Sequence, residues 1–530
     1  SHQSAKRPAE AIAAFRAGLA VAPKWERADE LLYVLGATLK DDGKLDLAIV
    51  ELTRLQKQYA KSLFRDRALY ELGDMARVQQ KPDPAVVLFK QVVAEFPKSD
   101  VAPLAQYGIG AALYEKGDFK MAEAALSQLV ARFAAHAIVP RGRRLRGSCL
   151  RELKDFAGAA AELQGYLATK PPPSAEQSAE ARFELALCQV GLKQHKPAIG
   201  TFNAVLAAQP KFAQKDNLLY ELAFAYEATD QAPLALAAYR RLASEVPKSP
   251  LVAECWFRIG QALEKTGDVK QLPEAEKAYL EGLKSVKKPA VRQSLLYQLG
   301  WVQYRQERYP EAVVQLSVLL KDFPEGNQRG EALLLAGECQ YLAKKWKEAV
   351  VHFEQVVADK NATERARALY RAGSCHLNLQ QWPLAQQRFE ALVKEFAKYP
   401  QLSEARYGLG LALQKQNQLD RAVVVFEQVT KETNTEAAAK ARFMIGEIAF
   451  SKKQYKLAYE HFLVAAFKYP YEEWQAKGYL EAGRCFKALK DSEKARELLE
   501  TVIKKFPKRP EAKIAAQVLT TLPKQKAKPE

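Results

Sequence analysis

The feature that most constrains this chain is a small residue that returns about every 37 positions. Compare "YELGDMARVQQKPDPAVVLF", "YQLGWVQYRQERYPEAVVQL" and "FMIGEIAFSKKQYKLAYEHF". The small anchors are Gly36, Gly73, Gly110, Gly147, Ala186, Ala223, Gly260, Gly300, Gly337, Gly373, Gly410, Gly446 and Gly483. Twelve of the thirteen have alanine at anchor+12, from Ala48 and Ala85 to Ala458 and Ala495. Gly260 reaches Ala275 only after three inserted residues. A large apolar residue stands at anchor+16, and seven repeats place proline at anchor+24, among them Pro97, Pro324 and Pro507.

Each period reads as one helical hairpin. The small anchor lets two helices approach closely, the alanine is its partner on the second helix, and the residue at anchor+16 fills the seam. Proline then stops the second helix, because it lacks the N–H that the helix ladder needs. A single hairpin cannot bury its apolar face, and stacked neighbours give it a continuous core. Only 26 Gly and 26 Pro in 530 residues leave few breaks, so helix is expected nearly throughout. The expected fold is an all-α superhelical solenoid of about thirteen helix-turn-helix repeats, residues 24–508. Residues 8–23, with Ala11, Phe15 and Pro23, read as the second helix of a repeat whose first helix would precede Ser1. The chain therefore reads as a partial or processed product, with residues 1–7 a linker or an appended scar. Residues 509–521 read as a capping helix and 522–530 as a disordered basic tail. Two insertions, at 170–180 and 266–279, read as tolerated loops.

With a small residue, Ala at +12, an apolar or aromatic residue at +16 and Pro at +24, the chain resembles the tetratricopeptide repeat family over residues 8–508. It departs from the commonest pattern in its longer period. A Tyr three before the anchor, and "FP" and "KS" after the second helix, are similar to bacterial envelope repeat proteins of the Tol–Pal coordinator and outer-membrane-assembly lipoprotein type. The resemblance implies a non-catalytic scaffold that binds a peptide, helix or protein in a concave groove. The narrower likeness favours the periplasm or cell envelope, with the cytoplasm left open. Two other readings stand beside it: an assembly component or coat acting through the convex face and ends, and the interaction module of a larger protein.

The residues supply little chemistry of their own. No two of the six histidines have metal spacing, no phosphate-cradling loop is present, and no Ser or Cys comes with an identifiable base. No enzyme, metal or cofactor is expected. Five of the six cysteines, Cys149, Cys188, Cys339, Cys375 and Cys485, fall at anchor+2, where other repeats have alanine. They read as small buried hydrophobes with free thiols. No run of 18 apolar residues is present. The sequon Asn361-Ala362-Thr363 is a single chance-level match.

The resemblance places anchor −6, −3, +1 and +4 on the groove, a spacing that keeps all four on one helical face. Ten of the thirteen residues at −3 are aromatic, including Tyr33, Tyr70, Tyr107, Tyr220, Tyr297, Tyr370 and Tyr407. They read either as a binding track or as rings packed against the neighbouring helix. Tyr297, Trp301, Tyr304 and Tyr341 form an aromatic cluster at −3, +1 and +4. The net charge of +18 is concentrated in places, with five arginines in "PRGRRLRGSCLRELK" (140–154). Arg141, Arg144 and Arg151, with Ser148 between them, share the groove face at −6, −3 and +4 of Gly147. They read as an anion site, or as local partners of Glu180 and Glu184. The basic tail lacks interleaved aromatics, so a protein or peptide partner is expected rather than nucleic acid. Peripheral association with the envelope through the missing N-terminus or the tail is left open.

Overall fold

A computed structural model describes residues 8–22, 25–360 and 362–523. Residues 1–7, Pro23 of the half repeat, Asn361 of the sequon and residues 524–530 of the tail lie outside them. Among the described residues there are twenty-eight α-helices, one short 3₁₀ turn and no strand. Contacts divide the chain between Ala262 and Leu263 into two compact units, and the division falls within the helix Val252–Lys265.

In each unit the elements are hairpins in succession. The helix Pro8–Val21 comes first and buries Ile12 and Leu19 against the hairpin after it. Thirteen helix pairs follow, each centred on one anchor, from Ala28–Asp41 with Leu45–Gln58 to Glu472–Ala488 with Ser492–Lys505. The helix Pro510–Thr520 closes the last pair. Within a unit each helix packs on the next, and first helices of successive repeats also touch one another. The fold is the all-α helical repeat solenoid expected from the period.

The anchor's nearest neighbour differs from the expected one. A Cβ on Gly73, Gly337, Gly373 or Gly410 would lie 2.4–2.8 Å from the ring at anchor+16, which is Phe89, Phe353, Phe389 or Phe426. The alanine at +12 approaches through its carbonyl, 3.4–3.5 Å from the Cβ position of Gly147, Gly300 and Gly483. The seam is therefore glycine against ring, with the alanine keeping the second backbone close. All six cysteines are buried free thiols. Cys255, which the anchor+2 pattern leaves out, occupies anchor−5, a buried place held by Ala68, Ala332 and Ala405 elsewhere.

The turns obey a second rule. Anchor+7 has positive φ in all thirteen repeats: ten residues such as Gln80, Lys154 and Asn417, and three glycines, Gly43, Gly117 and Gly267. The hairpin needs one left-handed residue to reverse the chain. The "KS" signature has a local role too. The Ser99 hydroxyl donates to Asp66 of its own repeat, and its oxygen accepts from the Val101 N–H at 3.2 Å, starting the next helix. Ser249 repeats this with Asp216 at 2.7 Å and Leu251 at 3.2 Å.

The insertions are absorbed locally. Ser174 and Gln177 form a capping box that opens the 17-residue helix Ala175–Gly191. Asp268 caps the 3₁₀ turn Val269–Gln271 ahead of Leu272–Ser285. At the end of the chain, Leu522 departs from its expectation as tail. It is buried with Phe506 and Ala515, and the Pro523 carbonyl accepts from Arg496 at 3.0 Å.

Gly117 has φ of 85°, and a Cβ there would meet nothing within 4 Å, so its substitution tests the turn alone. Gly117→Ala is expected to lower stability by about 1–2 kcal/mol. The reciprocal Lys154→Gly, at φ 63°, is expected to raise it by up to about 1 kcal/mol. Denaturant midpoints of the two variants measure both.

Candidate functional site

The first helices present the candidate residues. Most tyrosines at anchor−3 are half-buried and lean on the anchor+16 ring of their own hairpin. Ring centroids lie 5.8 Å apart for Tyr70–Phe89, Tyr220–Tyr239 and Tyr407–Phe426, and 6.3 Å for Tyr370–Phe389. Tyr33 stacks on Phe64 at 5.5 Å. Burial pushes the phenols of Tyr297 and Tyr407 up to about 12. These rings serve the core with one face and line the helix surface with the other. Tyr297, Trp301 and Tyr304 pack over one core cluster, and Trp301 stacks on Tyr304 at 5.6 Å. Tyr341 belongs to a different cluster and turns to Trp346, 4.8 Å away.

In the N-terminal unit the arginine-rich helix Val139–Glu152 pairs most of its charge locally. Arg144 reaches Glu180 at 2.8 Å and Glu184 at 3.0 Å. Arg146 bridges Glu123 at 2.7 Å and Glu162 at 2.6 Å, and Arg143 also meets Glu162, at 3.2 Å. The Ser148 hydroxyl donates to the Arg144 carbonyl and to Glu184, both at 3.4 Å. Arg151 pairs with the adjacent Glu152 at 3.0 Å. Arg141 is exposed and lies over the Tyr107 ring at 5.4 Å. The local-pairing alternative thus describes Arg144. Arg151 also lines a cavity of about 300 Å³ with Phe183, Glu184, Asn217 and Glu221. Burial holds the Glu221 carboxyl above its usual range.

In the C-terminal unit a cavity of about 470 Å³ opens on three consecutive first helices, Arg365–Asn378, Leu402–Lys415 and Glu436–Ser451. Tyr370, Tyr407 and Tyr471 wall it, and Ser374 and Leu411 stand at anchor+1 within it. Glu404, Glu436 and Lys440 are its charged residues. Of the candidates read from sequence, Tyr370 and Tyr407 come together here. Tyr471 lies outside the anchor register, just ahead of its helix, and periodicity gave no signal for it.

Family models of the tetratricopeptide repeat match residues 107–177, 370–423 and 407–473, and residues 67–99, 218–249, 294–326, 331–359 and 478–509. The chain belongs to this family. Its repeats make it a protein–protein interaction scaffold. Solved structures similar in fold include Pseudomonas aeruginosa pilF, 18% identical over 43% of this chain and 97% of that one, with TM-score 0.33. A tetratricopeptide repeat protein from Parabacteroides merdae is 17% identical over 52% and 99%, with TM-score 0.33. YrrB, described as having an unusual peptide-binding site, is 19% identical over 37% and 96%, with TM-score 0.30. No curated protein matches the chain.

Among the described residues no helix is long and apolar enough to cross a membrane, and no three His, Cys, Asp or Glu side chains are grouped to hold a metal. The last tetratricopeptide repeats hold a partly buried carboxylate that the repeat pattern did not flag. Glu481 at anchor−2 pairs with Arg484 at 2.7 Å, with Glu447 close by. Burial raises Glu481 to about 7 against the pull of Arg484, and the Glu447 charge adds to the rise. Its folded pKa exceeds the ordinary 4.5, so the folded chain holds this proton more tightly than the unfolded chain. Stability from this group is full below about pH 4.5 and is lost as pH rises through about 7. Glu481→Gln is expected to flatten the stability profile between those values and to be the more stable form at pH 8. Thermal melts across that range check it.

Proposed function

We propose that this chain is a non-catalytic scaffold that holds a segment of a partner protein, a peptide or a helix, along its first-helix face. The observation that carries this is the cavity walled by Tyr370, Tyr407 and Tyr471. It lies within the volume range of ligand pockets, and its mixture of aromatic walls and a few charges suits an anchor side chain. In the N-terminal unit, Arg141 and Arg151 with Ser148 offer a second contact, for a carboxylate of the partner. Arg144 contributes less there, because two glutamates already neutralise it. The likeness of the "FP" and "KS" signatures to bacterial envelope repeat proteins supports a cell-envelope location in this reading.

A photo-crosslinking amino acid at Ser374 or Leu411 is expected to capture a partner in the cells that make the protein. The same label at Arg421, on a second helix, is expected to capture none. Capture from Arg421 alone would move the binding face.

A second reading, assembly through the second-helix face, is favoured by one observation. In the first six repeats all twelve residues at anchor+11 and +14 are non-polar, from Leu47 and Val50 to Leu234 and Ala237. Val50 is 61% exposed, Val87 64% and Met121 49%. In the C-terminal unit Glu311, Glu348, Arg421 and Lys494 interrupt the anchor+11 row, which keeps Leu384 and Leu457, while Val314, Val351 and Val424 remain exposed at anchor+14. A recurring row of exposed apolar residues is a surface that proteins often cover. Sedimentation velocity at rising concentration is expected to show association that Val50→Glu with Val87→Glu removes. A wild-type chain monomeric throughout ends this reading.

A further inference from the structure

We propose that the cavity between Tyr370 and Tyr407 receives an arginine side chain of the partner segment. The proposal rests on the first-helix reading above and names the chemistry of its anchor. It starts from a comparison of two neighbouring repeats of this chain. In the repeat of Gly373, positions −6 and −2 are Arg367 and Arg371. Both reach Glu338, which is 1% exposed, at 3.0 Å and 2.8 Å. The Arg371 guanidinium lies over two rings at once, 4.7 Å from Tyr341 and 5.9 Å from Tyr370. This is an arginine held between tyrosine faces and a carboxylate.

One repeat on, the same two positions are Glu404 and Gly408. The arginine is gone and a carboxylate stands at −6. Tyr407 repeats the place of Tyr370, and Gly408, packed against the Phe389 ring, lines the cavity beside it. Glu338 and Tyr341 correspond one repeat on to Ser374 and Leu377, so repeat 11 keeps the tyrosine at −3, carries an acid at −6 in the place of Arg367, and has no arginine of its own in the cavity.

The charges in the cavity point the same way. Lys440 is engaged with Glu436 at 3.1 Å, and Glu436 also accepts from the Trp474 indole N–H at 3.1 Å. That indole hydrogen bond, with Lys440, holds the Glu436 carboxyl below its usual range. Among the described residues Glu404, at the exposed rim of the cavity, has neither a hydrogen-bond nor an ion-pair partner; burial raises the Tyr370 phenol, Arg371 opposes that rise and the Glu404 charge adds to it. The cavity is left one negative charge in excess, beside ring faces that attract cations. An acidic segment would meet like charge. A purely apolar one would cover Glu404 without pairing it, which is unfavourable. A planar guanidinium stacks on the rings and donates to the carboxylate together, which an ammonium does less well.

The test is selection of displayed twelve-residue random peptides on the full chain, followed by synthetic peptides titrated by fluorescence anisotropy. The chain's net charge of +18 draws acidic peptides to its surface generally, so enrichment of basic ones runs against that field. The expected result is a binder family sharing one arginine. Replacing it by glutamine should weaken binding about tenfold, and by lysine less. Glu404→Gln in the protein should cause a similar loss, and Glu404→Asp should retain most of the binding. Ser374→Arg, which fills the cavity from a partly exposed position, should abolish binding with the melting temperature preserved. Gly408→Arg serves as the second block, although a Cβ there lies 2.6 Å from Phe389 and its fold must be checked. Binders without a basic residue that Ser374→Arg still blocks would end the arginine proposal and leave the first-helix scaffold standing. A selection whose binders are all indifferent to Ser374→Arg, or that yields none, overturns both for this cavity.

Discussion

Everything in this chain depends on one close approach, a small residue on the first helix of each hairpin, glycine in eleven of the thirteen, against a side chain at anchor+16 on the second. At Gly410 the ring of Phe426 stands where a Cβ would be, 2.4 Å away, and at Gly36 the Leu52 side chain does the same. The absent side chain on one helix is filled by a large one on the other. This lets the backbones come near enough for dispersion contacts to be dense. Ala186 and Ala223 take the same place opposite Phe202 and Tyr239, so a methyl can be accommodated when the partner shifts. Because the contact recurs in every period, the core is assembled from equivalent seams rather than from one centre.

The seam sets what remains free. Once anchor, +12 and +16 are committed to packing, the turn at +7 must be left-handed, and ten non-glycine residues accept that strain. Their neighbours over-determine the conformation, as strained backbone requires. The outward positions of the first helix are then released from structural duty except through the half-buried tyrosines. Sites arise where a repeat departs from its neighbours, as Gly408 does beside Arg371, and as the arginine helix at 139–152 does beside its tyrosine-bearing relatives.

The local order of charge shows how far such departures are balanced. Lys40 meets Glu71 at 2.5 Å and Asp74 at 2.8 Å across successive first helices. Arg77 continues the row to Glu115 at 2.7 Å. Arg65–Glu95 at 2.8 Å, Lys215–Glu245 at 2.5 Å and Arg292–Asp322 at 3.0 Å each tie anchor−8 to anchor+22 within one hairpin. Individually such pairs are weak at a surface. Collectively they use up much of the charge along the helices.

The period alone determined that this chain is a stack of helical hairpins. The reason is physical: a small residue and its partners in fixed register leave one way to bury the apolar face. It also determined that the tyrosines at anchor−3 share a side of their helices, because helical spacing is a local property. What the tertiary structure decided is which of these residues are available. Arg144 looked like an anion ligand in one dimension, and forty residues later Glu184 meets it at 3.0 Å. Tyr471 had no place in the register, yet it closes a cavity with Tyr370 and Tyr407. Pairing and enclosure depend on distances between repeats, and a repeat pattern specifies those only on average.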